Sequence, residues 1–165
     1  MKAELFSTDF LISIVLFMSV FMILVFYYNE MQDDIYKNYQ LNDMQRKAIS
    51  ISDLLATSSG NPKFWDETNV DVIGLLDSGR FNLTKFLELK KLSHQDVKTM
   101  LGAGVYNLNI SLTNETGHVI QIGSDFYTFG TPLFDVKNAA LIKRFGIADV
   151  ETQNKKVILE VVLWD

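Results

Sequence analysis

The chain of 165 residues contains no cysteine. Disulfide frameworks, thiolate metal sites and cysteine nucleophiles are therefore excluded. Histidine is almost as scarce. His94 and His118 stand far apart, with no ligand pattern around either. Proline and glycine are both missing from residues 29–57, so the two residues that most readily interrupt a helix are absent there. Positive charge never gathers into a block. The net charge is −5, and the bases are scattered apart from the pairs Lys90-Lys91, Lys143-Arg144 and Lys155-Lys156. A chain with no basic face lacks the electrostatic footprint of a nucleic-acid partner.

Chemical signatures are missing as well. There is no phosphate-binding loop, no G-x-S-x-G, no G-x-G-x-x-G and no H-E-x-x-H. "LGAGVYN" at 101–107 places its glycines after a helical segment and before an extended one, the reverse of a dinucleotide turn. Asp66, Glu67 and Asp71 cluster loosely, at a spacing that fits no calcium loop. The expectation is therefore no catalytic residue, no metal, no cofactor and no enzyme activity.

What the chain does have is concentrated at its start. Residues 10–28 are nineteen residues without a charge. As a helix they span about 28 Å, one hydrocarbon thickness. That is longer than the apolar core of a secretory signal, and "FYYNE" at 26–30 offers no small-residue cleavage site. The run reads as retained. Lys2 precedes it, while Glu30, Asp33 and Asp34 follow it before the first base, Lys37. That asymmetry predicts a single pass through the cell membrane, with the N-terminus in the cytoplasm and the remainder outside.

The helical pattern continues past the apolar run. Leu41, Met44, Ala48, Ile51 and Leu55 recur at spacings of 3, 4, 3 and 4, with Asn42, Asp43, Gln45, Arg46, Lys47 and Ser50 opposite. Ile35, Tyr36 and Tyr39 carry apolar character upstream of that stripe. "SSGNP" at 58–62 stops the helix, with Gly60 suited to a left-handed cap and Pro62 blocking continuation. Residues 5–57 are thus expected to form one helix near 80 Å long. Three parts follow: residues 1–28, a membrane-length helix behind a short leader; 29–57, its amphipathic continuation; and 58–165, a globular part.

In the globular part, residues 62–77 read as an irregular connection. Asn82 or Thr84 starts a short helix reaching Leu92. "SHQD" at 93–96 resembles a capping box and opens a helix running to Leu101, with Gly102 as its stop. From Val105 the period becomes two. Tyr106, Leu108, Ile110 and Leu112 share one face, and "HVIQIG" is expected to return beside them as a hairpin. "DFYTFG" predicts a third strand. "ALIKRFGIAD" and "KKVILEVVLW" predict a second hairpin, turning around 150–154. The last strand, apolar on both faces except at Glu160, is expected at the sheet centre. The fold class is α+β: a long N-terminal helix packed by its second half on a small antiparallel sheet with short helices.

Three glycosylation sequons lie in this part: Asn82-Leu83-Thr84, Asn109-Ile110-Ser111 and Asn114-Glu115-Thr116. Asn82, Asn109 and Asn114 are the candidate acceptors. Asn114, in the turn "TNETG", is the best placed.

The stretch "MKAELFSTDFLISIVLFMSV" resembles the N-terminus of type IV pilins and pilin-like proteins, above all the archaeal ones with short class III signal peptides. The features that carry the resemblance are a short leader with Lys2, the small residue Ala3, the acid Asp9 and the apolar run. It implies cleavage between Ala3 and Glu4 by a prepilin-peptidase-like enzyme. It also implies assembly through the apolar helix, with Asp9, Phe10, Leu16, Phe17, Phe21 and Leu24 as assembly residues. Partners would be other pilin-like subunits and an assembly machinery, and the product a cell-surface filament. With that cleavage Asp9 becomes the sixth mature residue, whereas the family usually carries Glu at the fifth. A carboxylate beside an apolar helix needs a partner or an interfacial position. In such a filament the resemblance supplies an N-terminal amine, which would set subunit register. The alternative is that Asp9 favours the helix start through the dipole. Two other functions stand beside the filament subunit: a non-assembling signal-anchored binding module, and a membrane-tethered enzyme with an unfamiliar site.

Overall fold

A computed structural model of the chain describes residues 8–134, 136–150 and 153–165. The chain divides into two compact units, Met1–Gln40 and Leu41–Asp165. One helix, α1 (Thr8–Thr57), contributes to both. Its fifty residues are unbroken, as the missing glycine and proline predict.

The second unit has a single core. From α1 it takes Met44, Ala48, Ile51 and Leu55, all buried, with Leu41 half-buried. The buried stripe begins only there. Ile35, Tyr36 and Tyr39, which carry apolar character upstream, remain exposed. α1 ends three residues before Gly60. That glycine does adopt a left-handed φ of 81°, but in the connection beyond the helix rather than as its cap. A side chain there would strike the Trp65 ring and the Val72 carbonyl. Trp65 is buried and donates its indole N–H to the Gly74 carbonyl at 2.9 Å. This bond closes the irregular stretch on itself, and Leu75 donates to the Leu55 carbonyl at 3.1 Å at the helix end.

Two short strands follow, β1 (Leu76–Asp77) and β2 (Arg80–Phe81). The two-residue turn between them has positive φ at both positions, Ser78 (50°) and Gly79 (79°). That is the twist a tight hairpin prefers. Asn82 caps α2 (Leu83–Lys91), its side chain accepting from the backbone of Thr84 and Lys85. Ser93 caps α3 (His94–Leu101), accepting from the Asp96 N–H at 3.1 Å, and Gly102 closes that helix in the left-handed region at φ 71°. Both caps and the glycine stop lie where the sequence puts them.

The main sheet holds six strands in the order β1-β2-β7-β8-β3-β6, with β3 (Asn107–Thr113), β6 (Thr128–Gly130), β7 (Ala139–Val150) and β8 (Gln153–Trp164). β8 lies between β7 and β3, central as its two apolar faces predict. The register sets Leu108, Ile110 and Leu112 opposite Leu163, Val161 and Leu159. These six form the sheet side of the core together with the α1 stripe and with Phe86, Leu89, Val97 and Leu101 of the short helices. β7 and β8 form the expected hairpin; residues 151–152 of its turn lie outside the described residues.

Two expectations need correction. β2 joins β7 in parallel through Phe81 and Ala148, so the sheet is mixed rather than wholly antiparallel. Gly146 allows this, because a side chain there would meet the Phe81 ring. In addition, "HVIQIG" returns beside β3 only briefly. Asn114 donates to the His118 carbonyl at 2.9 Å, Val119 bridges Thr113 and Ile120 donates to the Leu112 carbonyl at 2.8 Å, and the segment then pairs as β4 (Gln121–Ile122) with β5 (Asp125–Phe126). β3 pairs instead with β8 and β6, and the expected third strand is divided between β5 and β6.

Candidate functional site

Residues 8–39 of α1 are exposed throughout. This is the one helix among the described residues long and apolar enough to cross a membrane. An apolar surface of that extent has to meet lipid or protein. A helix suits either setting, because every backbone hydrogen bond is internal to it. Ser19 keeps to the rule by donating to the Val15 carbonyl at 2.8 Å.

The residues expected to serve assembly fall unevenly around this helix. At about 100° per residue, Phe10, Phe17, Phe21 and Leu24 lie within an arc of roughly 60°. The Phe17 and Phe21 rings stack with centroids 6.2 Å apart. Leu16 stands roughly a quarter-turn or more outside that arc. Asp9 lies in the first turn of α1 and is exposed. Ala3 and Glu4, the expected processing site, lie outside the described residues.

A second apolar stripe starts at the end of the uncharged run and continues beyond it. Tyr28, Met31, Ile35 and Tyr39 follow at spacings of 3, 4 and 4, and all are more than half exposed. Glu30, Asp33, Asp34 and Lys37 occupy the other side of the same turns. Residues 29–39 add roughly three turns to the membrane-length run and keep one uncovered apolar stripe. Its spacing was open to view in the sequence.

Within the second unit, polar contacts tie its segment of α1 to the sheet. Asp43 receives Lys47 at 3.1 Å and the Tyr106 hydroxyl at 3.1 Å. The hydrogen bond from Lys47 is the main reason its carboxyl lies below the ordinary range. The Lys47 ammonium also sits over the Tyr106 ring, 5.0 Å from its centre. Arg144 of β7 reaches Asp53 at 2.6 Å and donates to the Ser52 hydroxyl at 3.2 Å. Lys85 is buried, which pushes its ammonium down, and it donates to the Ser59 carbonyl. Each of these groups has a structural partner. Among the described residues no three His, Asp or Glu side chains converge to hold a metal.

The three sequons have different settings. Asn82 is half-buried, and its Oδ1 serves as the α2 cap. Asn109 lies on β3 between β6 and β8, and its amide donates to the Thr131 carbonyl at 3.1 Å. Asn114 is exposed in the turn after β3. Its Oδ1 accepts from the Thr116 N–H (3.0 Å), the Thr116 hydroxyl (2.6 Å) and the His118 N–H (3.0 Å).

Compared with known proteins, the chain matches no protein-family model, no curated protein and no solved structure. The class defined by fold and surface is an α+β unit joined to a long helix whose apolar part is fully exposed.

Proposed function

We propose that the chain is a pilin-like structural subunit of a cell-surface filament of the archaeal type IV kind, assembling through its N-terminal helix. The observation that carries this reading is the exposed stripe Tyr28, Met31, Ile35 and Tyr39. A simple anchor needs apolar surface only across the bilayer, about twenty residues. Here apolar surface continues beyond that length on one side of an acidic helix segment, where water would otherwise meet it. Packing against like helices covers both the run and its extension. The leader resemblance at Lys2, Ala3 and Asp9 supports the same reading.

On this proposal a prepilin-peptidase-like enzyme cleaves between Ala3 and Glu4, and the subunit waits in the membrane with Leu41–Asp165 outside. N-terminal sequencing of the protein from cell-surface fractions, together with electron microscopy of those fractions, tests it. A mature chain beginning at Glu4 within filaments is expected. A chain beginning at Met1 in fractions free of filaments would leave the plain anchored binding module.

A further inference from the structure

We propose that Asn114 carries an N-linked glycan and is the acceptor that the fold selects from the three sequons. Two backbone N–H groups, of Thr116 and His118, point at one atom of the Asn114 side chain. Only an oxygen accepts from both, so that atom is Oδ1 and the amide nitrogen Nδ2 faces the other way. The Thr116 hydroxyl donates to the same Oδ1 at 2.6 Å. Its single proton is thereby used, and the His118 Nδ1, 2.9 Å from that hydroxyl, is the donor to it. The hydroxyl that defines the sequon is therefore already engaged with the acceptor side chain. Three donors on Oδ1 draw electron density toward oxygen and hold the side chain in one pose, with Nδ2 turned away from those donors on an exposed turn.

The other two sequons have different settings: Asn82 also turns its Oδ1 toward two backbone N–H groups, of Thr84 and Lys85, but as a helix cap. The Nδ2 of Asn109 is committed to the Thr131 carbonyl, and strands flank the residue on both sides. Asn82 is half-buried at the start of α2, with its side chain fixed by the cap. At Asn114 the neighbours Glu115, Thr116, Gly117, His118 and Val119 are all exposed, which leaves room for a bulky saccharide.

The co-reactant is an oligosaccharide carried on a lipid phosphate. Nδ2 forms a bond to the anomeric carbon and gives up one proton. The sugar–oxygen bond to the phosphate breaks, and the lipid phosphate departs with the bonding pair. The inference rests on the outward placement of Leu41–Asp165 and not on assembly.

The test is peptide mass mapping of the full chain purified from the cells that encode it, alongside protease treatment of whole cells. A saccharide mass on the Asn114 peptide is expected, absent from the Asn82 and Asn109 peptides. Thr116→Ser should retain it, whereas Thr116→Val and Asn114→Gln should lose it completely. An unmodified Asn114 peptide, with the unit open to protease on intact cells, overturns the glycan alone. A unit closed to protease overturns the outward placement and this inference together. Saccharide on Asn82 or Asn109 overturns the selection by the fold.

Discussion

His94 opens α3 with its ring stacked on Phe129, centroids 5.7 Å apart, and its Nε2 3.5 Å from the Thr131 hydroxyl. Burial, and then the charge of Lys98, lower its pKa below the ordinary 6.5. The unfolded chain therefore takes up this proton at a higher pH than the folded chain does. Stability is fully present above the unfolded value, is lost as pH falls from there through the folded value, and is constant below it. Thermal unfolding of the full chain in detergent, followed by the fluorescence of the buried Trp65 and Trp164, should show Tm falling as the pH is lowered from about 7. His94→Gln should flatten that limb. Equal slopes in the two proteins would remove His94 as the cause. The carboxyl of Asp43 acts lower: its depressed pKa gives stability above the unfolded carboxylate value that is lost as pH falls through the folded one. At this scale much was legible. Asn82, Ser93 and Gly102 act through bonds to residues at most five positions away, so sequence spacing alone places them. Gly146 and Gly60 were not legible in this way. The atoms they make room for, the Phe81 ring and the Trp65 ring, arrive only through tertiary packing.

Among elements, α1 and the β7–β8 hairpin were readable because each is a long run without an interrupting proline, and the second half of α1 carries a helical period. The partner of β3 was not. "HVIQIG" follows β3 at hairpin distance, and local reasoning pairs the two. In the fold, β8 matches β3 over seven positions and sets Leu159, Val161 and Leu163 against Leu112, Ile110 and Leu108. A short polar-flanked segment cannot compete with that apolar match, and nothing in local spacing reveals it. The parallel bridge from β2 to β7 was hidden for the same reason. The stripe of α1 within the second unit should hold that unit together. Leu55 is fully buried in its core, so Leu55→Ala should cost about 2–5 kcal/mol of unfolding free energy. Denaturant titration of the full chain in detergent measures this. A loss below about 1 kcal/mol would mean that the stripe packs less closely than its burial implies.

For the whole molecule, the deciding question is whether the exposed surface of α1 ends its task at the membrane. The uncharged run accounts for about one bilayer thickness and suffices for anchoring. Tyr28, Met31, Ile35 and Tyr39 lie at or beyond its far end, exposed and flanked by Glu30, Asp33 and Asp34. Met31, Ile35 and Tyr39 lie outside the uncharged run, and the core of the second unit, which begins at Met44, does not include them. Replacing Met31 and Ile35 together by Glu should therefore leave insertion intact, since residues 10–28 are untouched. It should also leave the Trp65 and Trp164 fluorescence and the unfolding midpoint of the second unit unchanged. On the filament proposal, yield should fall at least tenfold, because each subunit would bring two further carboxylates to a surface that the proposal has its neighbours cover. Sedimentation of surface fractions, with the membrane-bound subunit measured in parallel, separates the outcomes. Wild-type filament yield from this variant would restrict assembly to the uncharged run. Loss of the inserted subunit itself would mean that these positions serve anchoring, and that the stripe is no evidence for a filament.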